Sequence, residues 1–339
     1  LDGIEAEMVA EGEREARQAG VEINGVALPR LLVRRGGPER RDVSATGTTS
    51  TAGDQGGMTI VTNKAGLLDD FYNASVLRAT GATVLEGLIG NLDIPRLVAD
   101  TTKPLKKTEN EAAGEYTPLT AMLSLTPNRL PAFIDVGEQL LKQSSSAIEA
   151  ILRSTLVNEM NGVQEKAFYH GGGTSEANGI AGTSGIGSVA GGTNGLAPAW
   201  SHIVGLETEV DTQNALLGNL HYLSNGQIRG KLKQTPVVAS TDSRMIMDNN
   251  SGLINGYTPF FTNAISRTLT KGSSSLASAI FFGNFADYWI AYWGGIQLEM
   301  IRDSASAKVG QYCLVASTYY DGGVVRPKSF AAMLDALGA

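Results

Sequence analysis

Three histidines, one cysteine and one glycine motif are the residues of this chain whose types suggest chemistry. His170, His202 and His221 lie far apart in the sequence, without the spacings that metal ligands show. Cys313 stands in the apolar run 312–315, which predicts a buried small residue. A single cysteine excludes a disulfide framework and a multi-cysteine zinc site within this sequence. These residues therefore predict no metal site and no catalytic site.

The glycine motif is Gly185–Ala190, which fits the pattern G-x-G-x-x-A, and Glu207 follows 20 residues after the second glycine. A dinucleotide site needs a buried strand before such a motif and a helix that opens inside it. Here a polar, glycine-rich stretch precedes the motif, and Gly191 and Gly192 follow it and disfavour a helix. We therefore predict no cofactor, and a soluble nucleotide-binding enzyme is the weakest of the functional alternatives.

Two charged clusters are candidates for contacts between subunits. The first lies in the segment 101–115 and contains Lys103, Lys106, Lys107, Glu109, Glu111 and Glu115. A solvated loop explains this pattern, and so does a docking element whose charges set the register with a neighbouring subunit. The second cluster contains Arg30, Arg34, Arg35, Arg40 and Arg41. It would contact either nucleic acid or another subunit, and the acidic segment 1–22 slightly favours the second interpretation.

The overall composition limits the function classes. The 339 residues carry a net charge of −7, which argues against sequence-specific reading of DNA. Hydrophobic residues make up 42% of the chain, as in globular proteins, and the 41 glycines indicate many turns. No apolar run is long enough for a transmembrane helix, and no signal peptide is recognisable. We expect a soluble protein of a reducing compartment that does not contact a membrane.

The elements that would position these residues follow from hydrophobic periodicity. Ser146 and Glu149 form a capping box before a helix of about 24 residues that ends near His170, and we call it the spine helix. Two extended runs, 91–98 and 116–136, flank the charged segment and predict a projecting β-hairpin. Further predicted elements are helices at 64–77, 200–217 and 243–248, and strands at 58–61, 235–241, 279–285, 287–293, 296–302 and 311–321. One dominant helix with strands late in the chain indicates an α+β fold.

The N-terminal part of the sequence has little to bury. Residues 1–22 are acidic and favour a helix, and the tract 44–57 is rich in Ser, Thr and Gly. We expect these residues to need partners in order to become ordered.

The order of these stretches resembles the major capsid proteins of tailed bacteriophages, which share the Hong Kong 97 fold. The similarity runs over roughly residues 50–335. It is carried by GDQGGMTIVTNKAGLLDDFYNASVLR, NLDIPRLV, GEYTPLTAMLSLTPNRLPAFIDVGEQLLKQSSSAIEAIL, EKAFYHGGGTSEANGIAG and TYYDGGVVRPKSFAAM. The resemblance implies an N-terminal arm at 1–66, a peripheral domain at 67–94 and 133–171, an extended loop at 95–132, an axial domain at 172–290, and closing strands at 291–339.

The resemblance also implies a structural protein without enzymatic activity. Its copies would form hexamers and pentamers of an icosahedral shell that encloses double-stranded DNA and is assembled in the cytoplasm of the bacterial host. Decoration, portal and scaffolding or protease proteins would be further partners, and residues 1–43 would be what a cleavage leaves. Some members of the family crosslink a lysine of the extended loop to an asparagine near the C-terminus. Asn284 is the last asparagine here, so we predict no crosslink of that pattern. An encapsulin-like compartment for protein cargo is the first alternative.

Overall fold

The computed structural model describes residues 9–11, 13, 14, 17, 75–100, 109, 118–143, 147–238 and 244–338. The chain divides into two units, Leu1–Gly66 and Leu67–Ala339. In the first unit all the described residues are helical, and the side chains of Glu13 and Arg17 approach to 3.6 Å one turn apart. This agrees with the helix predicted for the acidic segment.

The second unit contains all the elements named below. Its α-helices are α1 (Glu138–Gln143), α2 (Ala147–His170), α3 (Trp200–Thr212), α4 (Gly226–Gln234) and α5 (Ser304–Lys308). Its strands are β1 (Thr83–Leu85), β2 (Leu92–Asp100), β3 (Pro118–Leu125), β4 (Asn128–Gly137), β5 (Gly187–Ser188), β6 (Leu220–Ser224), β7 (Pro259–Phe261), β8 (Leu269–Lys271), β9 (Ser274–Asn284), β10 (Tyr288–Tyr292), β11 (Gln297–Ile301), β12 (Gln311–Val324) and β13 (Phe330–Leu337). The mixture confirms the predicted α+β class.

The strands form two larger sheets and a separate hairpin. In the β12 sheet, β12 pairs antiparallel with β4, β10 and β11, and β1 adds to β10 in parallel. In the β9 sheet the order is β5-β13-β9-β6-β7, and β8 also pairs with β9. Strands β2 and β3 pair only with each other among the described residues. They are the two sides of the predicted hairpin. The run predicted at 116–136 as one side is too long, because β4 begins at Asn128 and pairs with β12 instead.

The spine helix is α2, and it extends over 24 residues as predicted. Leu156 and Met160 are buried against Leu314 and Ala316 of the β12 sheet. At the end of the helix, Phe168 and Tyr169 enter a core to which both sheets contribute. One face of α2 therefore packs on the first sheet and its last turn reaches the second. Ser146 of the predicted capping box lies outside the described residues.

The helix ends at a glycine for a steric reason. The amide of Gly171 still donates to the carbonyl oxygen of Ala167 at 2.7 Å. A Cβ atom at position 171 would lie 2.2 Å from the carbonyl oxygen of Ala177, which no side chain can tolerate. Gly171 is therefore required by the loop that returns against the end of the helix.

The strand predicted at 235–241 and the helix predicted at 243–248 are wrong in their described parts. Residues 235–238 form no strand, because the amide of Thr235 still bonds to the carbonyl of Lys231 at the end of α4, and Pro236 has no amide to donate. Residues 244–248 are not helical; Ile246 donates to Thr235, and Val237 to Arg244, in an irregular paired turn. The run lies near the surface, and 54% of Val238 is exposed.

Two smaller predictions are corrected. The helix predicted at 200–217 ends at Thr212, because Asn214 adopts a left-handed backbone with φ of 56° that closes the last turn. The predicted helix at 64–77 is described only at 75–77, where the backbone is not helical. The strand predicted at 58–61 lies outside the described residues. No helix in the described ranges combines the length and apolarity that crossing a bilayer requires.

Candidate assembly surface

The β2–β3 hairpin has one face turned to the protein and one turned to solvent. Its register pairs Ile94 with Leu123 and Arg96 with Ala121 on the inner face, which is partly buried. On the outer face Pro95 lies opposite Met122. Alternation of this kind is expected when one side of a hairpin rests on a core.

Three contacts fix the base of the hairpin to the end of β12. The Arg96 guanidinium donates from Nη1 to the carbonyl oxygens of Val324 and Val325, at 3.2 and 3.1 Å. The amide of Thr126 donates to Asp321 Oδ2 at 2.7 Å. Leu125 is 1% exposed and lies over the end of β12 that contains Gly323, where a Cβ atom would be 3.3 Å from its side chain. The hairpin therefore leaves the body of the protein from a defined base.

Asp321 is a buried carboxylate at this base. It also accepts a hydrogen bond from the amide of Gly322 at 2.8 Å. Burial raises its pKa above the usual value for an aspartate, while the hydrogen bonds from Thr126, Gly322 and Asn128 act in the opposite direction. The group is a structural link between the β3–β4 turn and β12.

Glu165 forms a second buried link, between the spine helix and residues 75–77. Its Oε1 accepts hydrogen bonds from the amides of Val76 and Leu77 and from the Tyr169 hydroxyl, at 2.8, 3.1 and 2.7 Å. Its Oε2 accepts from the Ser75 hydroxyl at 2.7 Å. Burial, and after it the Glu165 charge, keeps the pKa of Tyr169 well above its usual value, so this phenol remains a donor.

Apolar side chains lie exposed on the hairpin and on the sheet beside it. On the hairpin, Leu97 is 60% exposed and Met122 61% exposed. On the outer face of the β12 sheet, Phe133 is 68% exposed and lies opposite Val315 in the register. These side chains retain apolar surface that a second protein can cover, as is typical of interaction sites.

The predicted charged sites are only partly visible. Glu109 lies in an exposed turn; the other five members of the first cluster and all five arginines of the second lie outside the described residues. The glycine motif at 185–190 opens no helix. Gly185 has a positive φ, and Gly187 and Ser188 form the two-residue strand β5. This geometry lacks the helix N-terminus of a dinucleotide site.

The histidines and the cysteine have separate surroundings. His170 Nε2 accepts a hydrogen bond from the amide of Ser266 at 3.0 Å, and burial, with a smaller effect of Lys166, lowers its pKa to about 4. His202 closes the start of α3 by accepting from the amide of Ala199. Cys313 is only half-buried, because it lies on the outer face of β12 beside Asp135. Within the described ranges no cluster of potential metal ligands occurs.

Arg96, Glu165 and Asp321 carry the geometry of this surface, and no sequence pattern predicts their roles. Nothing in the sequence around these three residues distinguishes them from other polar residues. Their roles depend on hydrogen-bond partners that are distant in the sequence. The exposed Leu97 and Met122 could have been found from the alternation in the hairpin strands, which leaves apolar residues on both faces.

Comparison with known proteins agrees with this architecture. Residues 56–334 match the model of the phage capsid family. A major capsid protein of Halomonas phage phiHAP-1 is 28% identical over 308 residues, which are 88% of this chain and 47% of that protein. The chain thus spans about half the length of this curated relative.

Solved structures show the same fold at low sequence identity. The capsid of the native GTA particle superposes with a TM-score of 0.67 at 19% identity, over 86% of this chain and 100% of that one. A structure from Microbacterium phage Oxtober96 gives a TM-score of 0.64 at 14% identity, over 86% and 99% of the two chains. The Hong Kong 97 fold expected from the sequence is confirmed, and the chain belongs to the phage capsid family.

Proposed function

We propose that this chain is a major capsid protein whose copies assemble, as hexamers and pentamers, into the icosahedral shell of a tailed phage. The match to the phage capsid family over residues 56–334 is the observation that carries this proposal. The similarity to the Halomonas phage protein supports the same assignment.

The hairpin gives the proposal a physical basis. A two-stranded hairpin is marginally stable by itself, and the β2–β3 hairpin exposes Leu97 and Met122. Burial of such side chains on a neighbour contributes about 25 cal/mol per Å² of apolar surface. In a single copy the hairpin is held mainly at its base, and assembly would stabilise the rest of it.

The domain boundaries belong to the proposal as well. The arm would be 1–66, the extended loop 95–132, and the peripheral domain 67–94 and 133–171. The axial domain would be 172–290, and 291–339 would supply closing strands to both. The β12 sheet with the spine helix would be the body of the peripheral domain, and the β9 sheet that of the axial domain.

The proposed cargo is double-stranded DNA held without sequence recognition, which the net charge of −7 favours. The proposed subunit contacts include the two charged clusters at 30–41 and 103–115. Decoration, portal and scaffolding or protease proteins are proposed partners, and assembly would take place in the bacterial cytoplasm. The shell would form without enzymatic activity and without the lysine–asparagine crosslink.

Electron microscopy of the purified full chain tests the proposal. We expect closed particles with hexameric and pentameric capsomers, and nuclease-protected DNA inside particles purified from infected cells. A protein that stays monomeric over a wide concentration range would contradict the shell assignment. Protein cargo in place of DNA would instead favour the encapsulin-like alternative.

A further inference from the structure

A cleft with a volume of about 790 Å³ lies between the base of the hairpin and loops of the β9 sheet. We call it the hairpin cleft. Hairpin residues including Arg96 and Leu97 line one side, and Leu217, Arg326 and Lys328 are among the residues that line the other. Two apolar side chains lie exposed at its rim, since Leu97 is 60% and Leu217 72% exposed.

The charges of the hairpin cleft are not balanced. Arg96, Arg326 and Lys328 bring three positive charges, and Asp287 is the one carboxylate of the lining. That carboxylate is already occupied, because Oδ1 accepts from Arg326 Nη1 at 3.3 Å and Oδ2 from the Ser329 hydroxyl at 2.6 Å. Arg96 and Lys328 therefore face the cleft without a neutralising carboxylate from its lining.

Arg96 has no anionic partner among the residues that line the cleft. Its Nη1 is held by two neutral carbonyl oxygens, and its Nε is buried without a hydrogen-bond partner. A buried donor without an acceptor is rare and costly, and more so on a charged group. A carboxylate bound in the cleft would balance the guanidinium charge, which the two carbonyl oxygens do not neutralise.

We infer that the hairpin cleft binds the acidic first 22 residues of a second copy of this chain. That segment contains seven Asp and Glu against two Arg, and it also contains Leu1, Ile4, Met8 and Val9. It therefore offers carboxylates for Arg96 and Lys328 together with aliphatic side chains for the rim at Leu97 and Leu217. Duplex DNA would match the charge but presents mainly phosphates to these apolar side chains. This contact rests on the proposed function in one respect, because it requires that two copies of the chain meet.

Disulfide trapping between two variants of the full chain tests the inference. Both variants carry Cys313→Ser, which removes the native thiol. One also carries Leu217→Cys in the cleft rim, and the other Ala10→Cys in the acidic segment. The two variants are mixed and mildly oxidised, and the disulfide-linked mixed dimer is measured on a non-reducing gel. Because its two cysteines lie on different chains, this dimer reports a contact between copies. We expect that dimer at a yield several-fold above a control in which Ile89→Cys, 98% exposed and outside the cleft, replaces Leu217→Cys.

A charge variant distinguishes a docked segment from random collision. Lys328→Glu in the Leu217→Cys chain should lower the mixed-dimer yield several-fold, because Lys328 is exposed and its charge faces the cleft. A yield equal to that of the Ile89 control, or one unaffected by Lys328→Glu, would overturn the inference. Competition by DNA would also overturn the inference. If duplex DNA at low salt abolished the mixed dimer and an uncharged polymer did not, DNA would be the ligand of the cleft.

The outcome is separable from that of the proposed function. If the chain forms normal particles but the mixed-dimer yield stays at the control level, this inference is wrong and the proposed function stands. If the mixed dimer forms efficiently but the chain never forms particles, the docking contact is supported and the shell assignment is wrong.

Discussion

At the scale of single residues, buried carboxylates connect segments that are far apart in the chain. Glu165 and Asp321 take most of their hydrogen bonds from backbone amides and hydroxyls, and no buried lysine or arginine pairs with either in the described part of the chain. A carboxylate that accepts several such bonds can remain in the interior, because the donors replace the water it has lost. Such groups fix geometry, and their loss is costly.

Replacement of Glu165 by alanine should destabilise the isolated subunit by about 3 kcal/mol, because two backbone amides and the Tyr169 hydroxyl lose their acceptor. Glu165→Gln is the matched control. It keeps one carbonyl oxygen in the position of Oε1, so we expect a loss of only about 1 kcal/mol. Urea denaturation of the three proteins measures the difference. Equal losses in the two variants would mean that shape, and not hydrogen bonding, holds residues 75–77.

His170 makes the stability of the subunit depend on pH. Its pKa is about 4 in the folded protein against about 6.5 unfolded. Between these values the unfolded chain binds a proton that the folded chain does not, so stability falls as the pH is lowered from about 6.5 towards 4. From pH 7 to pH 5 the loss should be at most about 2 kcal/mol.

A His170→Gln variant isolates this contribution, because glutamine can accept from the Ser266 amide but does not titrate. Urea denaturation at pH 7 and pH 5 should show a smaller pH dependence in the variant than in the parent. Identical pH dependence in both proteins would show that other groups control acid stability.

At the scale of elements, glycines of the spine helix and its returning loop have opposite roles. Gly162 lies within α2, and a Cβ atom there would meet nothing within 4 Å. Gly162→Ala should therefore stabilise the isolated subunit by about 0.5–1 kcal/mol through helix propensity. Gly179 packs on the helix end, where a Cβ atom would lie 2.6 Å from the amide nitrogen of Gly171. Gly179→Ala should cost about 1–3 kcal/mol. Melting temperatures that shift in the same direction for both variants would contradict this assignment.

The two sides of the hairpin should respond differently to mutation. Leu125 is buried at the base, so Leu125→Ala should destabilise the free subunit by about 2–5 kcal/mol. Met122 is exposed, so Met122→Ser should change its stability by less than about 0.5 kcal/mol. We expect Met122→Ser nevertheless to reduce particle yield, which sedimentation of assembly reactions measures. Normal yield for Met122→Ser would show that the outer face of the hairpin is not buried between subunits.

The sequence predicted those elements whose pattern is local and long. Apolar residues at helical spacing predict the spine helix over its full 24 residues. Alternating or β-branched runs bounded by turn residues predict strands β9 to β12. The β-branched residues at 235–238 predict a strand that does not form, because the Thr235 amide bonds to the end of α4 and Pro236 has no amide to donate. The anchoring roles of Arg96 and Asp321 depend on contacts across more than 190 positions, which periodicity does not report.

At the scale of the whole molecule, the order of stability within one chain should change when copies assemble. In the free subunit the amides of β2 and β3 should exchange with deuterium much faster than those of β9, because the hairpin is two-stranded and partly exposed while β9 lies between β6 and β13 with a buried interior. In assembled particles the hairpin should gain the larger protection, since neighbours would cover its outer face. Hydrogen-exchange mass spectrometry of free and assembled protein measures both states, and β9 is the internal control. Equal protection of hairpin and β9 in the free subunit would mean that a single copy already stabilises its hairpin, and the proposed coupling between assembly and order would then be wrong.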